Sequence, residues 1–425
     1  MKNINSKFIS TMGVQLGSKG LSVLFGVMLA RYLGPQEYGL YGYIISVIAI
    51  FTVPVIAGLP NLIVREISCY ISLNNNAKIK GILLWSYIYI LFTSLISTLF
   101  LCYTLGRDVT DSYTGLLIVF SAFLIPLRAL VAHQAAVISA FKNPVKSILP
   151  SGVIYPATSI ILLSIVNYLD VYEITTEFVL FIIVVTTFSS LIVGFLISRK
   201  EFINIFSSAE SSYEVKNWFC SLMPFTILVA FTTINNEIAV VILGQLGSKE
   251  SAGYYRIAMQ GVSLIFLALT TVNLIVGPYV AESYKKDKMA YTQELIKKGV
   301  LLSSVFSAPF VVMFIFFPSE IIIFVFGEEF LPASKTLLIM SVGQFINIIL
   351  GSVGMVINMT GNERYSVRYL LISLIINITL LYILVPIYGS IGAAMSVTIS
   401  LILWNLMLAA TIYKRTGLKT WLTIK

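Results

Sequence analysis

Apolar residues recur in twelve long runs, near residues 9–30, 39–62, 81–105, 114–140, 148–168, 176–198, 217–245, 253–281, 296–317, 334–358, 366–386 and 388–413. Each holds about 20 residues or more, enough at ~1.5 Å per residue to cross a hydrocarbon core of roughly 30 Å. The runs therefore predict membrane-spanning helices, and the short polar stretches between them leave no room for an extramembrane domain. The first run is not uniformly apolar. Gln15, Lys19, Ser22 and Gly26 follow steps of four, three and four residues, which sets them on one helix face while Val14, Leu21, Val23 and Phe25 cover the rest. Such a stripe faces protein or water. Gly34-Pro35 then predicts a turn, with Tyr32, Tyr38 and Tyr41 at the headgroup level that aromatic residues prefer.

The pattern repeats at half the chain length. After the first run come Leu33-Gly34, Glu37, Gly39 and Tyr41; after the seventh come Leu246-Gly247, Glu250, Gly253 and Tyr255. Val137, Ile138 and Asn143 at the end of the fourth run are echoed by Val356, Ile357 and Asn362 at the end of the tenth. Six spans per repeat return the chain to the same side, so the halves are expected to be related by an axis along the membrane normal, with a cavity between them. The predicted fold class is all-α, a polytopic membrane protein of about 12 transmembrane helices in two six-helix lobes with a central cavity. The lobes are placed at residues 1–200 and 201–425, joined near Arg199 to Lys216.

Composition agrees with this reading. Hydrophobic residues are 58% of the 425, charged residues 11%, and mean hydropathy is +0.92, which excludes a soluble domain of this size. The net charge of +9 lies in short segments between apolar runs, a membrane-orientation pattern and not a nucleic-acid surface. Lys285, Lys286, Lys288, Lys297 and Lys298 crowd one connection, whereas that around Asp170, Glu173 and Glu177 has no basic residue. Both termini are accordingly expected in the cytoplasm. Cys69, Cys102 and Cys220 are far apart, and no metal site or disulfide framework is expected. The first run is too long, and lacks the cleavage motif, for a removed signal peptide.

Three charges fall deep inside predicted spans, well away from either end: Lys19, Arg128 and Glu237. Arg128 is about thirteen residues from either end of its run, roughly 20 Å of helix, too deep to reach an interface. Charges at such depth mark functional sites by default; the plainer reading is that Glu237 pairs with Lys19 or Arg128 and locks two helices together. Two cations against one anion leave positive charge over, which favours an anionic ligand. Gln344, Asn347, Gly351, Gly354 and Asn358 form an uncharged polar stripe on the tenth span, suited either to a hydroxyl-rich ligand or to close helix packing. Thr226, Ala230, Thr233 and Glu237, with Asn236 adjacent, line the seventh and could carry a coupling H⁺ or Na⁺. Arg31 and Arg65 lie at span ends, where interfacial anchoring competes with substrate contact. His133, the sole histidine, reads as a packed residue.

The run ARYLGPQEYGLYG, the segment GLPNLIVRE and the later GQLGSKESAGYY together resemble the polysaccharide-biosynthesis membrane proteins that include the O-antigen flippases, within the multidrug/oligosaccharidyl-lipid/polysaccharide exporter superfamily. The resemblance covers the chain in length, span count and motif order; lipid II flippases usually carry two further spans. It implies a flippase for an undecaprenyl-diphosphate-linked oligosaccharide in the bacterial cytoplasmic (inner) membrane. The candidate substrate contacts are then Lys19, Arg128, Gln15, Gln344, Asn347, Arg31 and Arg65, and the candidate coupling residues Glu237 and Asn236. Partners would be the lipid-linked oligosaccharide, membrane lipid and, as an open question, a polysaccharide polymerase. No cofactor is expected beyond the coupling ion, and the absence of a G-x-x-x-x-G-K-[ST] loop argues against direct ATP hydrolysis. A cation-coupled drug exporter would call for acidic cavity residues, of which only Glu237 is available. A polymerase or ligase would need a substantial outer loop, so the chain is not expected to be an enzyme.

Overall fold

The computed structural model describes residues 2–108, 112–141, 143–169, 173–208 and 210–422, so that Asp170 lies outside the described residues. Among these the chain forms helices joined by short connections, without a strand: α1 (Lys2–Ile56), α2 (Leu59–Ser72), α3 (Asn76–Asp108), α4 (Ser112–Ser121), α5 (Leu124–Ala140), α6 (Pro144–Ile148), α7 (Tyr155–Leu169) and α8 (Thr176–Ser208) in the first half. Then follow α9 (Val215–Leu246), α10 (Lys249–Lys285), α11 (Met289–Phe316), α12 (Pro318–Phe326), α13 (Ala333–Leu350), α14 (Val353–Met359), α15 (Glu363–Tyr388) and α16 (Ser390–Thr416). Among the described residues 11 stretches are long and apolar enough to cross a membrane, the first of which, Gly13–Ser72, contains two of the predicted spans. These two spans read as one helix because only Gly34 interrupts α1. Its φ of 68° and ψ of 175° belong to glycine, and Pro35 pushes it out of the helical region.

Other breaks have equally local causes. Between α4 and α5 the Ala122 carbonyl would receive the amide of residue 126, but Pro126 has none; Ile125 N–H donates to it instead, at 3.0 Å. A π-helical stretch at Leu149–Ile154 begins over Pro150 and brings Gly152 against Ser18 of α1. The tenth predicted span is divided at Gly351, φ 77°.

The chain forms two compact units. One comprises the chain through Leu33 together with Ile44–Glu237; the other comprises Gly34–Tyr43 and the chain from Ile238 onward. In the first, α5 packs against α2, α3 and α8, and the approach to α9 is fixed by Lys78–Glu214 at 2.5 Å, Ser212 N–H on the Ala77 carbonyl at 3.0 Å and Trp218 Nε1 on the Tyr70 hydroxyl at 2.9 Å. In the second, α10, α11, α13 and α16 surround a core that includes Val280, Val300, Val356 and Leu408. The segment after Gly417 turns back into that core: Leu418 is buried, Gln293 clamps both backbone groups of Lys419 at 2.7 Å, and Leu422 N–H reaches the Ile349 carbonyl at 2.8 Å.

The two repeat signatures meet inside the second unit. Gly39 and Gly253 lie backbone to backbone: a methyl group on Gly39 would overlap the Lys249 carbonyl, and one on Gly253 would sit 2.5 Å from the Pro35 carbonyl oxygen. Tyr38 is buried edge-on against Phe330, and Arg256 donates to the Gly42 carbonyl at 3.1 Å while covering the Tyr41 ring. Gly39→Ala should therefore lower thermal stability by about 1–3 kcal/mol through overpacking, whereas Gly20→Ala, which meets nothing within 4 Å, should not. Melting of the two variants in detergent checks this, and equal melting temperatures would contradict the contact.

Candidate functional site

Within the first unit the inner half of α1 and the first two-thirds of α9 run antiparallel along one seam. Thr226 Oγ1 donates to the Ala57 carbonyl at 2.7 Å, and at the other end Ser46 Oγ donates to Glu237 Oε2 at 2.7 Å. The steps 46, 49, 53, 57 and 226, 229, 233, 237 are helical, so each set is a stripe and the stripes face each other. Between the two end contacts the seam opens into a cavity of about 200 Å³, lined by Ala49, Thr52, Val53, Ile56, Ala57, Val229, Thr233 and Arg128 from α5. Apart from Arg128 and the two threonines its wall is aliphatic.

Arg128 reaches this cavity because α5 restarts after the Ala122–Phe123 break, which puts the arginine in the helix's second turn. It is half-buried and has no ion-pair or hydrogen-bond partner among the described residues. The carboxylate of Glu237, also half-buried, is held by a hydroxyl and not by either cation. A guanidinium beside two hydroxyls in an aliphatic wall is an anion site: the low local polarity strengthens any contact it makes, and its flat fork can take two oxygens at once.

The remaining candidates are spread out. Lys19 is half-buried on α1, one residue after the Ser18–Gly152 contact, and does not line the cavity; Gln15 is exposed. Arg31 is exposed at the end of the first span. Arg65, also exposed, is paired with Glu66 at 2.6 Å and lies over the Phe225 ring at 5.5 Å. In the second unit Asn347 is buried and donates to Gln344 of its own helix at 2.9 Å, while Gly343 and Gly354 pack on Thr398 and Trp404. Asn236 is exposed. His133 is fully buried, its ring tilted against that of Tyr87 and its Nε2 2.7 Å from Ser86 Oγ. Ser86 Oγ also lies 2.8 Å from the Leu83 carbonyl oxygen. Sequence reasoning missed Ser46 and Thr52: six residues apart on a helix they do not share a face, so spacing gave no signal that joined them.

Residues 4–284 match the family model described as polysaccharide biosynthesis protein, and residues 224–383 match the MatE model. The capsular polysaccharide biosynthesis protein CapF of Staphylococcus aureus is 24% identical over 44% of this chain and 47% of its own length. "Probable low-salt glycan biosynthesis flippase Agl15" of Haloferax volcanii is 26% identical over 38% of this chain and 34% of its own. The chain thus spans about half the length of the first of these and a third of the second. An uncharacterised membrane protein of Methanocaldococcus jannaschii is 21% identical over 91% of this chain and 92% of its own length. The fold is that of the lipid II flippase MurJ in an inward closed conformation, with TM-score 0.74 at 18% identity over 95% of this chain and 87% of that one. It is also that of an inward-facing multidrug resistance MATE family transporter of the MOP superfamily, with TM-score 0.75 at 12% identity over 96% and 99%.

Since Arg128 leaves no partner stranded, Arg128→Gln should keep thermal stability within about 0.5 kcal/mol of the parent. Ser46→Ala removes a hydrogen bond to a charged group and should cost about 1.5–3 kcal/mol. Denaturation of the purified variants measures both. A sharp loss in Arg128→Gln that is restored in the double variant with Glu237→Gln would instead reveal an Arg128–Glu237 pair.

Proposed function

The chain belongs to the polysaccharide biosynthesis protein family, and on that footing we propose that it is a flippase, turning an undecaprenyl-diphosphate-linked oligosaccharide from the cytoplasmic to the outer leaflet by alternating access. The observation that carries this reading is Arg128, a membrane-embedded cation without an acidic partner among the described residues, in a cavity with two threonine hydroxyls. The relatives named for capsule and glycan biosynthesis support the substrate class. A cavity of about 200 Å³ is smaller than the roughly 300–1,000 Å³ that drug-sized ligands fill, so it suits a phosphate group and not a sugar repeat. In this reading Arg128 takes the diphosphate, and Lys19, on α1 outside the cavity lining, is a second cation met by the substrate on its way through. Gln15, Gln344 and Asn347 meet sugar hydroxyls, and Arg31 and Arg65 receive the substrate at the span ends. Glu237, with Asn236 beside it, binds the coupling H⁺ or Na⁺. The membrane is the bacterial inner membrane, with both termini in the cytoplasm.

A cation-coupled drug exporter is the second reading, favoured by the MatE match over residues 224–383. Cationic drugs would require an acidic group where Arg128 stands. Reconstitution with defined lipid-linked oligosaccharides, with and without H⁺ or Na⁺ gradients, separates the two. Oligosaccharide flipping is expected, and export of cationic drugs without flipping would favour the exporter. Arg128→Ala should weaken binding of the lipid-linked sugar roughly ten- to a hundredfold, for one charge-assisted contact of about 1.5–3 kcal/mol. Lys19→Arg should be tolerated better than Arg128→Lys, since only the guanidinium offers a fork. Glu237→Gln should lower gradient-driven flipping while binding persists. Full activity in Arg128→Ala would remove the diphosphate contact from the mechanism.

Membrane orientation has a separate test. Cys69 lies near the end predicted to be inner and Cys102 near the outer. In single-cysteine versions on intact spheroplasts, a membrane-impermeant thiol reagent should label Cys102 before Cys69, although Cys69 is the more exposed of the two in the fold. The opposite order would invert the topology.

A further inference from the structure

Two clusters of basic residues in the second unit differ in their acidic neighbours. At the α10–α11 corner Lys286 is paired with Glu282 at 2.5 Å and Lys298 with Glu294 at 2.6 Å, and these bonds hold both carboxyl groups below the usual carboxylate range. Where α15 begins and α16 ends the situation differs. Arg364, Arg368 and Lys414 are exposed and have no acidic partner among the described residues. Arg415 bonds the Tyr365 hydroxyl and lies over that ring at 4.5 Å, which turns a fourth cation from α16 toward the start of α15. Tyr369 and Thr411, 2.9 Å apart, tie the two helices together at the same level.

These cations are continuous with apolar surface. On α15 the exposed face runs Arg364, Arg368, Ile372 and Ile375 in steps of four, four and three; on α16 it runs Leu403, Leu406 and Tyr413 before Lys414. An anion meeting these cations therefore has hydrocarbon-facing side chains directly beside it. A free ion would make no use of that arrangement, whereas a phospholipid places its phosphate on the cations and its acyl chains along both stripes.

We propose that the adjoining ends of α15 and α16 form a binding surface for anionic phospholipid headgroups, built by Arg364, Arg368, Lys414 and Arg415 around Tyr365. It shares no residue with the Arg128 cavity and takes a lipid that stays in its leaflet and is not carried across. Its effect is to anchor this corner of the second unit to acidic membrane.

Native mass spectrometry of the full chain in detergent, titrated with phosphatidylglycerol or phosphatidylcholine, tests the assignment. Phosphatidylglycerol should stay bound and phosphatidylcholine should not, with added salt weakening the complex. At about fivefold per surface cation, the Arg364→Gln/Arg368→Gln/Lys414→Gln/Arg415→Gln variant should lose roughly a hundredfold or more in phosphatidylglycerol affinity. The variant with Lys285, Lys286, Lys288 and Lys298 all changed to Gln removes equal charge from the other corner and should bind as the parent does. Equal loss in both variants, or no preference between the lipids, would overturn the proposal. So would displacement of the lipid by millimolar inorganic phosphate, which would assign the cations to a free anion. Should the first variant fail to fold, Arg364→Lys/Arg368→Lys/Arg415→Lys keeps the charge; it must retain phosphatidylglycerol binding, and losing it would equally refute the assignment.

Discussion

A peptide group inside hydrocarbon has no water to turn to, so every interruption of a spanning helix must find hydrogen-bond partners within the protein. That constraint decides where this chain can bend. At the α4–α5 break the carbonyl orphaned by Pro126 is taken by the neighbouring Ile125 amide. At the α13–α14 break the Ile349 carbonyl is taken from outside the helix, by Leu422 of the returning segment, and the Gly351 carbonyl by Val353. Both breaks matter for position. The first allows α5 to restart with Arg128 lining the cavity, and the second is secured by the returning segment, which is itself held by Gln293 of α11.

The charges obey a related rule. A carboxylate and a guanidinium near each other in a poorly polar wall attract strongly, and a directly formed pair would neutralise both. Here the two are served separately: Glu237 has Ser46, and Arg128 has only hydroxyl-bearing and aliphatic neighbours. The seam between α1 and α9 thus presents one charge of each sign along its length, each still able to accept a further partner. The Ser46 hydroxyl is the partner the carboxylate has in place of the arginine.

Much of this was legible in the residues. Apolar run lengths gave the spans, Gly34-Pro35 gave the turn, and the depth of Arg128 pointed to an interior position. The line Thr226, Ala230, Thr233 and Glu237 was also visible, because helical spacing is a local property. What faces that line is not local. Nothing in the α1 sequence says that Ser46 meets Glu237, a contact across 191 positions, nor that Lys19 lies away from the Arg128 cavity. The stripe of amides and glycines on the tenth span illustrates the limit: spacing showed that it shares a face, while only packing shows Gly351 and Gly354 closed against Thr420 and Trp404. The repeat was readable for a steric reason. Gly39 and Gly253 touch each other's backbone, so neither position has room for a side chain.

The contact between His133 and Ser86 has a practical consequence. With one imidazole in the whole sequence, hydrogen-bonded through Nε2 to Ser86 between α3 and α5, a chain carrying nitrogen-15 only in the histidine ring would give a single imidazole N–H resonance from the first unit. Exchange of that proton with solvent requires the α3–α5 packing to open, so its lifetime would time the breathing of this bundle in a lipid bilayer without any foreign probe.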